Sequence, residues 1–160
     1  MHAEPQQEHL WLQKFVGEWA YESECNMGPG QPLSTFRGTE SVRSLGGLWV
    51  LCEGRWETPG GGTTTTIMTL GYDPLKKKYV GTFIGSMMTN IWAYEGTLDP
   101  AGTTLPLDTE GPSFVGDGKM VKFKDVLEFK SDDHRVLTSH MQGENGEWSV
   151  FMTANYKRVK

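Results

Sequence analysis

Two carboxylates fall on stretches where the alternation of side chains is otherwise apolar, and their placement invites chemistry. Asp125 shares a parity with Val121, Phe123, Leu127 and Phe129, while Lys122, Lys124, Glu128 and Lys130 take the other face. Glu40 shares its parity with Phe36, Gly38 and Val42. An ionisable group inside an apolar enclosure has to be paired or hydrogen-bonded, or its pKa moves until it is neutral. Such a group can orient the polar head of a hydrophobic ligand or act as a general base. The same positions also suit a structural ion pair with Arg37, Arg43, Arg55 or Arg135, or outward exposure after a register slip.

His140 is the third candidate, because a neutral imidazole can be a general base, a metal ligand or an axial haem ligand. It stands in a segment with two readings: Val136, Thr138 and His140 on one face, Leu137, Ser139 and Met141 on the other. A one-residue bulge would exchange them. A lone histidine is also a common hydrogen-bonded core or surface residue. His134 stands beside Asp132-Asp133 in a turn, His9 belongs to the N-terminal segment, and no two histidines have a spacing that puts them on one metal. Cys25 and Cys52 have no CxxC spacing and read as reduced, mostly buried thiols. Gly85-Ser86-Met87 lacks the second glycine and the strand-to-helix setting of a nucleophile elbow. The glycine clusters do not precede helices, which removes phosphate-loop and dinucleotide readings. No metal site and no cofactor are specified by these motifs.

The elements that must position these groups are strands. Pro5 can take the first helical position, and Leu10, Leu12, Phe15 and Val16 give an apolar face before Gly17, which predicts a short helix over 5–16. Beyond it, breaks at Gly28-Pro29-Gly30, Gly46-Gly47, Pro59 to Gly62, Asp73-Pro74, Gly85-Ser86, Asp99-Pro100, Gly111-Pro112, Asp132-Asp133 and Asn145-Gly146 recur at hairpin intervals. They delimit about ten strands: 19–27, 34–44, 48–57, 63–72, 78–84, 90–98, 103–109, 120–130, 134–142 and 147–158. No helical crossovers separate them, so the expected topology is an antiparallel up-and-down meander closed into a barrel over 19–158, wide enough for a cavity. A β-sandwich is the competing architecture. The last strand is expected to turn Trp148, Val150, Met152, Ala154 and Tyr156 to one face. The strand 90–98 sets Ile91, Ala93 and Glu95 against Trp92, Tyr94 and Gly96 without deciding which side faces in. Residues 111–118, with Phe114 and Val115 at their centre, read either as a lid over the barrel mouth or as an ordinary loop.

With 160 residues and 17.9 kDa the chain fits one domain, able to bury roughly two thirds of its unfolded surface without staples. Six Trp, seven Phe and eight Met supply apolar, adaptable walls, yet no run approaches a membrane span. The segment Met1-His2-Ala3-Glu4-Pro5 has neither the basic nor the apolar region of a secretory signal, so a cytoplasmic location is expected. A net charge of −5 and a pI near 5.4 argue against nucleic acid, whose phosphates need clustered cations. Lys76-Lys77-Lys78 follows Asp73-Pro74 and reads as a solvated hairpin tip.

The pattern His9-Leu10, Phe15-x-Gly17-x-Trp19, Gly47-Leu48-Trp49-Val50-Leu51, Leu70-Gly71-Tyr72-Asp73 and Tyr156-Lys157-Arg158 resembles the bacterial domain of unknown function numbered 1579. The resemblance spans nearly the whole chain and implies a calycin-like or lipocalin-like barrel with no established activity. Gly17-x-Trp19 is shared more loosely with lipocalins and fatty-acid-binding proteins. In lipocalins the corresponding Trp packs at the closed end beneath a basic residue of the last strand, so the resemblance implies that Trp19 and Arg158 or Lys157 close the barrel. The chain lacks the disulfide of secreted lipocalins, and Gly17-Glu18-Trp19-Ala20-Tyr21 departs from the Gly-x-Trp-x-Gly of haem-binding nitrobindins.

The leading expectation is a non-enzymatic protein holding a small hydrophobic molecule in the barrel, with Glu40, Asp125, His140, Phe123, Trp92 and Met152 as candidate cavity residues. The alternatives are a haem or other cofactor barrel using His140, a small isomerase or hydrolase with a cavity carboxylate, and a filled, ligand-free interaction module that could form a homo-oligomer. If Trp19 seals one end, a ligand enters at the other.

Overall fold

The structure, a computed structural model, describes residues 2–26, 30–58 and 60–160. The expected breaks at Gly28-Pro29 and Pro59, and the end of the first strand at Met27, lie outside the described residues. The N-terminal segment forms α1, Gln7–Leu12, continued by a 3-10 turn over Gln13–Phe15. It is shorter than the predicted 5–16 because Gln6 is the cap: its backbone N–H donates to His9 Nδ1 at 2.9 Å. Pro5 therefore sits one residue outside the helix. Gly17 starts the first strand at φ +139°, and a Cβ there would fall 2.5 Å from an Arg158 guanidinium nitrogen and 2.6 Å from the Lys160 carbonyl. Only glycine fits that crossing.

Ten antiparallel strands follow: β1 (Gly17–Cys25), β2 (Ser34–Leu45), β3 (Trp49–Glu57), β4 (Thr63–Asp73), β5 (Lys78–Gly85), β6 (Trp92–Gly96), β7 (Thr104–Pro112), β8 (Met120–Ser131), β9 (His134–Gln142) and β10 (Trp148–Arg158). Each pairs with its neighbours in sequence, and β10 pairs with β1 from Trp19↔Arg158 to Cys25↔Met152. The barrel is closed, so the sandwich alternative falls. With no free edge, the alternation of buried and exposed residues becomes an inside and an outside.

Three local departures shape the interior. β7 runs through Gly111-Pro112, which the sequence reading treats as a turn. Pro112 is the last residue of the strand, where a missing N–H is tolerated, and Gly111 leaves room for the Trp92 ring, which a Cβ would meet at 2.0 Å. β6 is short, and its register with β7 is limited to Glu95↔Asp108 and Gly96↔Leu107. In β10 the register with β9 shifts between Val150 and Met152. That bulge breaks the single face expected from Trp148 to Tyr156: Met152, Ala154 and Tyr156 point in, while Trp148 and Val150 are exposed.

One end of the barrel is sealed by α1 and the 3-10 turn. Tyr79 donates from its hydroxyl to the Glu8 carbonyl at 3.3 Å, and Trp11 Nε1 donates to the Gly102 carbonyl at 2.8 Å. Trp11, Phe15 and Phe129 pack edge to face at centroid distances of 4.9 to 5.7 Å. Leu12, Leu70, Leu105 and Leu107 are fully buried around this plug. Among the described residues no helix is long and apolar enough to cross a membrane.

Candidate functional site

Arg135, near the start of β9, points inward and defines the floor of the interior. Its side chain is 5 % exposed and forms an ion pair with Glu40 of β2. The guanidinium lies 4.0 Å from the ring centroid of Tyr156, 4.5 Å from that of Trp19 and 5.1 Å from that of Phe15. Aromatic faces on a desolvated cation, together with a carboxylate partner, satisfy a charge that could not otherwise be buried. Of the four arginines open to Glu40 in the sequence, the fold selects Arg135. Beneath this layer Trp19 donates from Nε1 to the Phe15 carbonyl at 2.8 Å, and the Arg158 guanidinium lies 4.3 Å from its ring centroid. Arg158 also donates to the carbonyls of Val16, Lys14 and Asp132 at 2.7 to 3.2 Å. It ties the last strand to the turn that carries the helix into β1.

Above the floor lies a cavity of about 360 Å³ that opens at the end opposite α1. Its wall is aromatic and methionine-rich. Phe36 and Trp56 pack at 5.2 Å, and Trp92 and Phe123 at 4.9 Å. At the mouth, Phe114 from the β7–β8 connection packs against Phe123 at 5.4 Å and Phe151 at 5.0 Å. Trp92 Nε1 donates to the Met88 sulfur at 3.1 Å, bringing the β5–β6 connection onto the rim. Phe151 lines the cavity because the β10 bulge turns it there. Of the sequence candidates, Glu40, Asp125, Phe123, Trp92 and Met152 all line this space.

His140 does not. β9 turns Arg135, Leu137 and Ser139 inward and Val136, Thr138 and His140 outward. His140 sits on the outer wall in register with Lys124 and Val150. Burial against the wall and the nearby Lys124 lower its pKa, and the Asp125 charge works against them. The haem reading loses its axial ligand, and among the described residues no three His, Cys, Asp or Glu side chains form a group able to hold a metal. The sequence left this parity open because β9 carries a buried arginine on the inward face and weakly polar residues on the outward one.

Asp125 is the polar centre of the cavity wall. The Tyr94 hydroxyl donates to its Oδ2 at 2.5 Å, and the Ser139 hydroxyl donates to it as well. Burial raises the Asp125 pKa, while the two hydroxyl donors and His140 pull it part of the way back. Burial, the Asp125 charge and this hydrogen bond hold the Tyr94 phenol well above its ordinary value, so it remains a donor. Tyr94 was not among the sequence candidates because the parity of β6 was undecided. The usable signal was Glu95: a charged residue on one face of an otherwise apolar strand marks that face as outward. Glu95 is indeed exposed and pairs with Lys76 at 2.8 Å. Two further hydroxyls on the lining, Ser23 and Thr109, are buried and have no hydrogen-bond partner among the described residues.

A family model described as "Protein of unknown function (DUF1579)" matches residues 4–158. No curated protein matches the sequence. Among solved structures the chain is similar to Rv2717c from M. tuberculosis, with a TM-score of 0.70 at 11 % identity, covering 98 % of this chain and 100 % of that one. It is also similar to the S-type phycobiliprotein lyase CPES from Guillardia theta, with a TM-score of 0.60 at 13 % identity, covering 98 % of this chain and 99 % of that one. A third structure, EF1p2_mFAP2b bound to DFHBI, aligns with a TM-score of 0.50 at 13 % identity, covering 95 % and 99 %. Likenesses at these identities are likenesses of fold.

Proposed function

Taking as premise that this chain belongs to the DUF1579 family of unknown function, we propose that it binds a small hydrophobic molecule inside its barrel. The observation that carries this reading is the cavity of about 360 Å³, walled by aromatic and methionine side chains and opening at the end opposite α1. A volume in this range suits a small ligand, and apolar burial at roughly 25 cal/mol per Å² would supply most of the affinity. Glu40 is paired with Arg135, whose guanidinium rests on the Trp19 ring and keeps one nitrogen, Nε, without a hydrogen-bond partner among the described residues, and we assign Asp125 with Tyr94 and Ser139 as the polar contact for a ligand head group. The barrel bound to DFHBI is support by analogy of fold.

Native mass spectrometry of protein purified from cells, followed by titration with a hydrophobic dye, tests the proposal. A bound small molecule or dye uptake competed by apolar ligands is expected. A clean apo mass with no dye uptake would overturn it and favour a filled interaction module.

The Asp125–Tyr94 hydrogen bond supports a second reading, an enzyme using the cavity carboxylate as general base. Its test is Asp125→Asn: any activity found by screening must be lost in that variant, and activity that survives removes the reading.

A further inference from the structure

The charged residues that line the cavity are both acids. Glu40 and Asp125 contribute carboxylates, and among the described residues no Lys, Arg or His belongs to the lining. The two carboxylates are not equivalent. Glu40 is matched by Arg135, which is held below the cavity by the rings of Trp19, Phe15 and Tyr156. Among the described residues, Asp125 receives neutral hydroxyl donors only, from Tyr94 and Ser139. Its chain neighbour Lys124 and the facing His140, whose pKa is lowered, both stand on the outer side of the wall. An anionic head group entering this cavity would meet an uncompensated carboxylate, whereas a cationic one would meet its missing partner.

The surroundings of Asp125 add two features. Phe123 lies two residues away on the same inward face of β8, with Trp92 packed against it, so aromatic surface flanks the carboxylate. The Thr109 hydroxyl, buried and without a partner among the described residues, sits in register with Phe123 and is therefore a diagonal neighbour of Asp125. Diagonal side chains on one face of a sheet stand about 7–8 Å apart, a gap that one ammonium group can bridge. A carboxylate, an unsatisfied oxygen acceptor and aromatic faces together match the three requirements of a protonated amine: a counter-ion, hydrogen-bond acceptors and π surface.

We infer that the cavity selects organic cations, an amine head seated at Asp125 and Thr109 with its apolar body between the aromatic and methionine walls. This rests on the binding function proposed above and specifies its ligand class: alkyl or aryl amines in place of fatty acids or other hydrophobic anions.

The test uses three probes with the same ten-carbon chain, decylamine, decanol and decanoate, titrated below their aggregation limits at one neutral pH against the full-length protein. Tryptophan fluorescence and calorimetry read the binding. Decylamine should bind at least about tenfold more tightly than decanoate, the difference expected when a buried carboxylate gains a charged partner and not a like charge. In Asp125→Asn the preference should collapse to within a few-fold while decanol binding persists. Decanoate binding as tight as decylamine in the wild-type protein would overturn the inference and leave the cavity reading standing. Failure of all three probes to bind would overturn both. The wild-type comparison needs no variant to fold, so it decides the matter alone if Asp125→Asn is unstable.

Discussion

A buried arginine and a half-buried aspartate are handled in opposite ways by this barrel, and each makes its own prediction. Arg135 and Glu40 form a closed pair under aromatic faces, so removing one partner strands the other charge out of water. Arg135→Ala or Glu40→Gln should cost about 3–5 kcal/mol of unfolding free energy, measured by urea denaturation. A loss under about 1 kcal/mol would mean that water reaches the floor. Asp125, by contrast, has a pKa raised by burial from its ordinary 3.8. The folded state therefore holds its proton more tightly than the unfolded chain. Its contribution is fully present below about pH 3.8 and is lost as pH rises through the raised value. The melting temperature of the wild type, measured relative to Asp125→Asn, should fall with rising pH across that window. His140 works in the other sense, its contribution present above 6.5 and lost as pH falls through its lowered pKa. The two groups act on each other, so both proteins are compared in a His140→Gln background, where the difference between them reports Asp125. A difference that is flat with pH would contradict the burial of this carboxyl.

Elements here are defined as much by what crosses between them as by their own residues. Gly111 lies inside β7 so that the Trp92 ring of β6 can cover the backbone beside the short β6–β7 seam. Gly111→Ala should displace that ring, costing about 1–3 kcal/mol as overpacking does, and should shift the tryptophan emission maximum. An unchanged spectrum and melting temperature would show that the ring has somewhere else to go. Arg158 joins β10 to the turn between α1 and β1 through carbonyls of Val16 and Lys14. Arg158→Met keeps length and packing on Trp19 but removes the donors. It should lower stability by about 1.5–3 kcal/mol in chemical denaturation while leaving the binding of a cavity probe unchanged. A variant that lost probe binding while keeping its stability would tie this end to ligand recognition.

For the molecule as a whole, the asymmetry of the two ends is the property on which function would depend. α1 and the Trp19 layer fill one end, and the cavity opens at the other between Phe114, Phe151 and the β5–β6 connection. A ligand that binds only the folded barrel should raise its stability by about 2.7 kcal/mol at a hundredfold excess over Kd, read as a rise in melting temperature. Phe114→Ala should weaken the binding of a cavity probe chiefly through faster dissociation, since Phe114 packs over the exit without contacting the floor. Stopped-flow traces with unchanged off-rates would assign Phe114 to ordinary loop packing.

Periodicity was enough to read the number of strands, the antiparallel order, the short helix before Gly17 and the apolar parity of Asp125 and Glu40, because each depends on residues close in sequence. Hydrophobic alternation fixes which side chains share a face, and glycine, proline and aspartate pairs fix where the chain turns. What it could not determine was decided by contacts between strands. The parity of β6 and β9, the bulge that turns Phe151 inward, the choice of Arg135 for Glu40 and the outward placement of His140 all arise only when neighbouring strands are in register and the barrel closes. Residues on a mixed strand have no preferred side until one of them finds a partner across the interior. Here the Arg135–Glu40 pair and the Tyr94–Asp125 hydrogen bond, 95 and 31 residues apart in sequence, join inward-facing side chains of those strands. Local sequence carries no record of such distances, and so the candidate ligand site belongs to the tertiary structure even though its carboxylate was visible from the start.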